Sequence, residues 1–266
     1  MSLNLKPVIL LIPRPILSAY RRHFSKSTKW VGNYMSWDEA LKHSKGYDSG
    51  EILSKVISAM HKVKKGEAAF ERDSVVFHFP EYDWDLLSVI FAVAENSKKV
   101  VVLDFGGALG NLYYKNKHFL KQIKGLFWGV VEQPEFVKAG KKEFESKSLK
   151  FYDSIGDFSA GHKPSVAVFS SVLQYIEDPF AVLRTTMNLA PQFMIISRTP
   201  MIKGKSRICV QKVNPKIYDS SYPCRIFDED ELYNLISKKY LLMSEEVSND
   251  YYGGDFVFKT LIFKRK

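Results

Sequence analysis

Apolar positions in the first third of the chain recur at helical spacing. "SWDEALKHSKG" sets Ser36 three residues before Glu39, a capping-box arrangement, and closes on Gly46. "SGEILSKVISAMHKVKKG" repeats that grammar, with Ile52, Val56, Ala59, Met60 and Val63 on one face and Gly66 at the stop. "DSVVFHF" is short and β-rich, whereas "DWDLLSVIFAVAENS" carries Leu86, Leu87, Ile90, Phe91 and Ala94 on a broad apolar face and predicts a buried helix from Asp83.

From Lys99 the rhythm changes. Apolar runs at 100–104, 126–131, 149–151, 166–169 and 193–197 alternate with helical stretches, which predicts a parallel sheet covered by helices on both faces. "DEDELYNLISKKY" opens with Asp228 and Glu231 as a cap pair, and "LLMSEEV" and "DFVFKTLIF", joined through "SNDYYGG", predict a closing antiparallel strand pair. The stretch 199–226 is too long for a simple connection, and insertions past the carboxyl end of such strands commonly shape a ligand site.

Composition narrows the class only a little. With 266 residues, 45% apolar and 26% charged, the chain suits one large α/β domain or a core with an appendage, and offers no case for disorder. Cys209 and Cys224 cannot form a disulfide scaffold, and no His/Cys cluster predicts a metal site, so a reducing, cytoplasmic setting fits best. The net charge of +10 is spread over lysines between apolar helical positions, which reads as solvated faces before it reads as a nucleic-acid surface. The apolar run at 8–12 is closed by Pro13 and Pro15 and is too short for a membrane span or a signal core. Residues 8–22, with Arg21 and Arg22, suit packing on the main domain, or peripheral contact at the inner face of a membrane.

The stretch that carries chemistry is "VVLDFGGALG". Its Gly106, Gly107 and Gly110 give G-G-x-x-G, and no register restores the G-x-G-x-x-G of a dinucleotide turn. The match is better to D-x-G-x-G-x-G, the first motif of class I S-adenosylmethionine methyltransferases, with Asp104, Gly106 and Gly110 in place and Ala108 at the middle glycine. That cofactor has no pyrophosphate. Its amino-acid end presents an ammonium, which Asp104 at a strand tip can accept, and glycines let the backbone come close. An acidic residue at the end of the next strand, roughly 20 residues on, should read the ribose. Glu132 stands there, followed by Gln133. Asp153 and Ser154 follow the third strand, where they can meet the adenine or cap a helix, and Ser170, Gln174 and Tyr175 lie at the rim past the fourth.

Together "GNYMSWDEALKHSKGYDSGEIL", "GEAAFERD", "LDFGGALGNLYY", "WGVVEQPEFVKAGKK", "SSVLQYIEDP", "ISRTP" and "SYPCRIF" resemble a family of methyltransferases that is similar to class I S-adenosylmethionine enzymes and is often encoded among bacterial surface-polysaccharide genes. The resemblance runs from about Gly32 to Phe263. It implies a Rossmann-like class I methyltransferase fold, with a mostly parallel seven-stranded sheet ending in an antiparallel strand. Residues 1–97 would form a helical N-terminal cap, and 98–266 the S-adenosylmethionine-binding domain with its 199–226 insertion near the active site. It also implies a carbohydrate or lipid-linked saccharide acceptor.

Methyl transfer to a hydroxyl needs alignment and a group to take the proton. His78 and Tyr175 are the candidates for that group, and Arg198, expected just past the fifth strand, is the candidate partner for a phosphate or carboxylate on the acceptor. "SSVLQY" lacks the D/N/S-P-P-F/Y sequence of DNA amino-group methylation. Three rivals stay open: RNA methylation, a binding or scaffold protein that keeps the fold without catalysis, and a nicotinamide oxidoreductase disfavoured by the glycine spacing.

Overall fold

The computed structural model describes residues 28–46, 49–213, 220–248 and 255–266. Its frame is the run of βα units expected from Lys99 onward: β4 (Val100–Phe105), α4 (Asn111–Leu120), β5 (Leu126–Val131), α5 (Pro134–Glu143), β6 (Leu149–Tyr152), α6 (Ile155–Ser159), β7 (Val166–Ser170), α7 (Pro179–Asn188) and β8 (Phe193–Ile202). β4 pairs in parallel with β5 on one side and with β7 on the other, β5 continues to β6, and β7 continues to β8. α8 (Glu229–Ile236) then leads into β11 (Tyr240–Ser248) and β12 (Val257–Arg265). β12 runs antiparallel beside β8, and β11 antiparallel beside β12. The central sheet is therefore seven-stranded, in the order β6-β5-β4-β7-β8-β12-β11, with the antiparallel finish that was expected.

Alternation along the strands divides the core in two. Val100, Val102, Trp128 and Val130 point to the face covered by the N-terminal helices and by α4 and α5. Val101, Leu103, Phe169 and Ile196 point to the face holding Phe158 of α6, Leu183 of α7 and Leu232 of α8. Because both faces are buried, the strands read as continuous apolar runs.

The first third holds more than helices. Besides α1 (Trp37–Lys42), α2 (Ser49–Lys64) and α3 (Trp84–Asn96) it contains β1 (Lys29–Tyr34) and the hairpin β2 (Phe70–Arg72) with β3 (Val75–Phe77). The long stretch after β8 folds into β9 (Arg207–Lys212) and β10 (Ser221–Asp228), an antiparallel pair with β1 added along β9. This three-stranded extension joins the main sheet where Phe227 and Asp228 pair with Met201 and Ile202 of β8.

That junction corrects one expectation. The fifth parallel strand does not end at Ser197, because β12 keeps pairing with β8 as far as Met201. Arg198 and Thr199 lie inside the strand, Arg198 at a positive φ of 53° that bends it.

Caps follow the sequence closely. Ser36 accepts from the Glu39 N–H at 3.1 Å, while the Glu39 carboxylate accepts from the Met35 N–H at 2.7 Å. Asp178 caps α7 through the Ala181 N–H, and Asp228 caps α8 through the Asp230 N–H. Glu231 instead receives the Ser206 hydroxyl at 2.8 Å. Asp83 precedes α3 without a side-chain cap bond, its carboxylate being taken by Lys115 and Asn116 of α4.

Among the described residues no helix is long and apolar enough to cross a membrane. The 8–22 segment, residues 214–219 of the insertion and residues 249–254 between β11 and β12 lie outside the described residues. Leu103 is completely buried in β4. Leu103→Ala is expected to lower the unfolding free energy by about 2–5 kcal/mol, read from urea denaturation followed by circular dichroism.

Candidate functional site

Strand order reverses at β4: the chain moves to β5 and β6 on one side, then returns to β7 and β8 on the other. Ligands of open α/β sheets settle outside the carboxyl ends of the strands at such a reversal. The turn that leaves β4 there is the glycine-rich stretch. Gly106 donates its N–H to Val131 O at 2.8 Å, extending the β4–β5 ladder by one bond. Gly110 and Asn111 both donate to Gly107 O, and α4 begins.

The glycines have separate reasons to be there. Gly106 has φ +72°, and a Cβ on it would overlap the Val172 side chain. A Cβ on Gly107 would overlap the Asp104 carboxylate. Gly110 has φ +84° at the N-cap of α4. Ala108, which stands at the motif's middle glycine, takes a left-handed φ of 48° itself. The turn therefore keeps a glycine-like geometry there, at a cost of about 1 kcal/mol.

Asp104 lies directly under this turn and is completely buried. Its Oδ2 accepts from Trp128 Nε1 at 3.0 Å, and its Oδ1 has no hydrogen-bond partner among the described residues. Burial pushes the carboxyl up to about 7 against the opposing Trp128 bond, with Glu132 and Asp83 adding to the rise. From the end of β5, Glu132 reaches back to the same turn. Its Oε1 accepts from the Ala108 N–H at 3.3 Å and its Oε2 from the Gln133 N–H at 2.6 Å. Burial raises this carboxyl too, in spite of the two backbone bonds.

Asp104, Gly106, Gly107, Gly110 and Glu132 are thus drawn together by direct contacts. The other expected residues are spread along the same sheet edge. Gln133 is exposed at the start of α5. Asp153 is exposed and meets Lys141 at 3.7 Å, while Ser154 caps α6 through the Asp157 N–H at 3.0 Å. Ser170 closes β7, paired with Ser197 of β8.

The three expected catalytic side chains stand on three different elements. Tyr175, in a single 3-10 turn (Leu173–Tyr175) after β7, donates its hydroxyl to Gln211 Oε1 at 3.0 Å and meets the Tyr222 ring edge-on at 5.2 Å. Burial, then Cys224 and Asp73, push its phenol far above the ordinary range, so at neutral pH it is a hydrogen-bond donor and not a base. His78 is exposed after β3, its Nδ1 at 3.1 Å from Glu67 O. Arg198 is half-buried within β8.

Glu71 escaped the sequence reading, and Gln174, expected at the rim, is buried. Glu71 in β2 is buried, accepting from the Asn111 side chain with one oxygen and from the Ser74 N–H at 3.0 Å with the other. Its hairpin turns through Asp73 and Ser74, both at positive φ, and "DS" lacks the Asn-Gly or Asp-Gly signal that announces such turns. Gln174 is buried, donates to Ser171 Oγ at 3.1 Å and leaves its Oε1 without a partner among the described residues. Two hollows of about 450 and 580 Å³ lie away from the turn, one beside α7 and α8, the other at the opposite edge of the sheet near Lys98 and Lys147. Among the described residues no His, Cys, Asp and Glu cluster suits a metal ion.

No protein-family model matches the chain, and no curated protein matches it. Its fold does match solved structures. The N-terminal domain of EvdMO1, crystallised in the presence of SAH and D-fucose, superposes with a TM-score of 0.51 at 13% identity, over 83% of this chain and 98% of that one. The fold is that of the class I methyltransferases. Glycopeptide N-methyltransferase MtfA complexed with S-adenosyl-L-methionine gives 0.44 at 11% identity, over 66% of this chain and 91% of that one. A Burkholderia thailandensis 1,6-didemethyltoxoflavin-N1-methyltransferase with bound 1,6-didemethyltoxoflavin and S-adenosylhomocysteine gives 0.42 at 13%, over 83% and 91%.

The Asp104 environment within this methyltransferase fold has a measurable signature. The folded chain holds that proton up to about 7, whereas an unfolded aspartate releases it near 4. Between those values the folded state binds the extra proton, so stability falls as pH rises through the window and levels off above it. Asp104→Asn removes this term. The loss of unfolding free energy between pH 5 and pH 8 is expected to be smaller in the variant by a few kcal/mol, measured by urea titration at both pH values.

Proposed function

We propose that the chain is an S-adenosylmethionine-dependent methyltransferase that O-methylates a carbohydrate or lipid-linked saccharide. The observation that carries the cofactor reading is Asp104: a completely buried carboxylate under Gly107 with one oxygen left unpartnered. A carboxylate so placed costs stability unless it meets a donor or cation, and a bound ammonium supplies one, directly or through water. The residues present fit the group. Asp104, Gly106, Gly107 and Gly110 would hold its amino-acid end. Glu132 with Gln133 would hold the ribose, the Glu132 carboxylate exchanging the Ala108 N–H for ligand hydroxyls. Asp153, Ser154 and Ser170 would flank the base and the opening.

When bound, S-adenosylmethionine supplies an electrophilic methyl group on a sulfonium. The chain contributes position and the exclusion of water. Tyr175 gives its one phenol proton to Gln211, so its oxygen is suited to accepting from the substrate hydroxyl and orienting it, with Gln211 and Tyr222 fixing its ring. The sugar class is supported by the family resemblance and by the D-fucose present with the EvdMO1 domain. The net charge of +10 suits an acceptor bearing phosphate or carboxylate.

One observation favours a second reading, a methyltransferase fold kept for binding alone. Val172 packs against Gly106 while Glu132 takes the Ala108 N–H, which leaves the turn closed upon itself. Calorimetric titration with S-adenosylmethionine and S-adenosylhomocysteine decides between them. One-to-one binding is expected, weakened at least about tenfold by Glu132→Ala through the loss of charge-assisted hydrogen bonds. Absence of heat and of thermal shift with both ligands would favour the binding protein. Labelled-methyl incorporation into extracted glycolipids, and not into total RNA, is the expected outcome for the acceptor.

A further inference from the structure

Glu71 is the side chain that the N-terminal region brings to the glycine turn, and the proposed function leaves it without a task. It is only 6% exposed, in a β2 strand packed on α4. One of its oxygens is held by the side chain of Asn111, which directly follows Gly110 and opens α4. The other takes the Ser74 N–H, so the hairpin's own turn aims the carboxylate at the helix start. Burial, with Asp73 beside it, pushes the Glu71 carboxyl up to about 7.

Two more carboxyl groups touch the same turn, one buried and one half-buried. Asp104 lies under Gly107 with Oδ1 unpartnered, and Glu132 bonds the Ala108 N–H. Lys115 pairs with Asp83 at 2.8 Å, and Arg72, which pairs with Glu81 at 3.4 Å, also acts on Glu71. Buried carboxylates are normally paired. Two buried carboxyl groups and a half-buried one around five backbone residues make, among the described residues, a place that suits a cationic ligand group.

We propose that Glu71 receives the ammonium of the cofactor's amino-acid end, so that the β2–β3 hairpin is a working part of the binding site. This rests on the cofactor reading given above. Asn111 and the Ser74 N–H then act as the positioning groups that keep the Glu71 carboxylate turned toward the ligand. Asp104, whose Oδ1 has no partner among the described residues, lies beneath the same turn.

Two ligands separate this role from a structural one. S-adenosylhomocysteine carries the ammonium, and 5′-methylthioadenosine lacks the whole amino-acid end. Titrated into the full chain, Glu71→Gln is expected to weaken the first by roughly ten- to a hundredfold, the range of one hydrogen bond to a charged group, and to leave the second unchanged. Equal loss on both ligands, or loss on neither, overturns the role while the cofactor reading stands. Should Glu71→Gln fail to fold, Glu71→Asp withdraws the charge by one methylene and carries the same expectation. A wild-type chain that binds neither ligand overturns the cofactor reading and the role of Glu71 with it.

Discussion

β4 is hydrogen-bonded on both sides and covered on both faces, and from that constraint the site follows. A strand in this position is dry as far as Asp104, so that carboxyl is removed from water with, among the described residues, the Trp128 N–H to meet it. The chain must then leave the sheet at once, and it does so over the top of that carboxyl. No side chain fits between them at Gly107, and Gly106 and Ala108 take left-handed conformations to complete the turn. Composition of the turn, burial of the acid and reversal of strand order are one arrangement seen at three scales.

A second acid reaches the turn from β5 and a third from the N-terminal hairpin. Each is raised by burial above the usual carboxylate range. Polar groups placed this way oppose folding, and the two apolar layers beside the sheet offset them. The turn after β7 is different in kind. Tyr175, Gln211 and Tyr222 are neutral, and they join the turn after β7 to the hairpin that follows β8. Acids gather at the turn after β4, and neutral hydrogen-bonding side chains at the turn after β7.

The central sheet was legible because its signals are local. Apolar runs, cap residues and glycines each act within a few positions, so β4 to β8 and the terminal pair could be read in order. The position of Glu132 at the end of β5 was legible because its distance from the turn is set by the length of one βα unit. What escaped depends on distant partners. β1 is a strand because Lys29 to Tyr34 lie against Lys212 to Ile208, and nothing within "KWVGNY" announces that edge. β8 was cut short because Arg198, Thr199 and Pro200 break an apolar run, although β12 continues to pair past them. Glu71 was passed over because a lone acid in "FERD" gives no sign that its strand will lie over α4.

The pairing of β1 with β9 also sets an order in time. Chains are synthesised from the amino end, and β1 is made long before the strand it needs. β4 to β7 find their partners within a few dozen residues, so the parallel half with the glycine turn can assemble while β1 still waits. Long-range pairing is slow to close. β1 is therefore the strand that waits longest for its partner, and the outer side of β9 stays unpaired until the two meet.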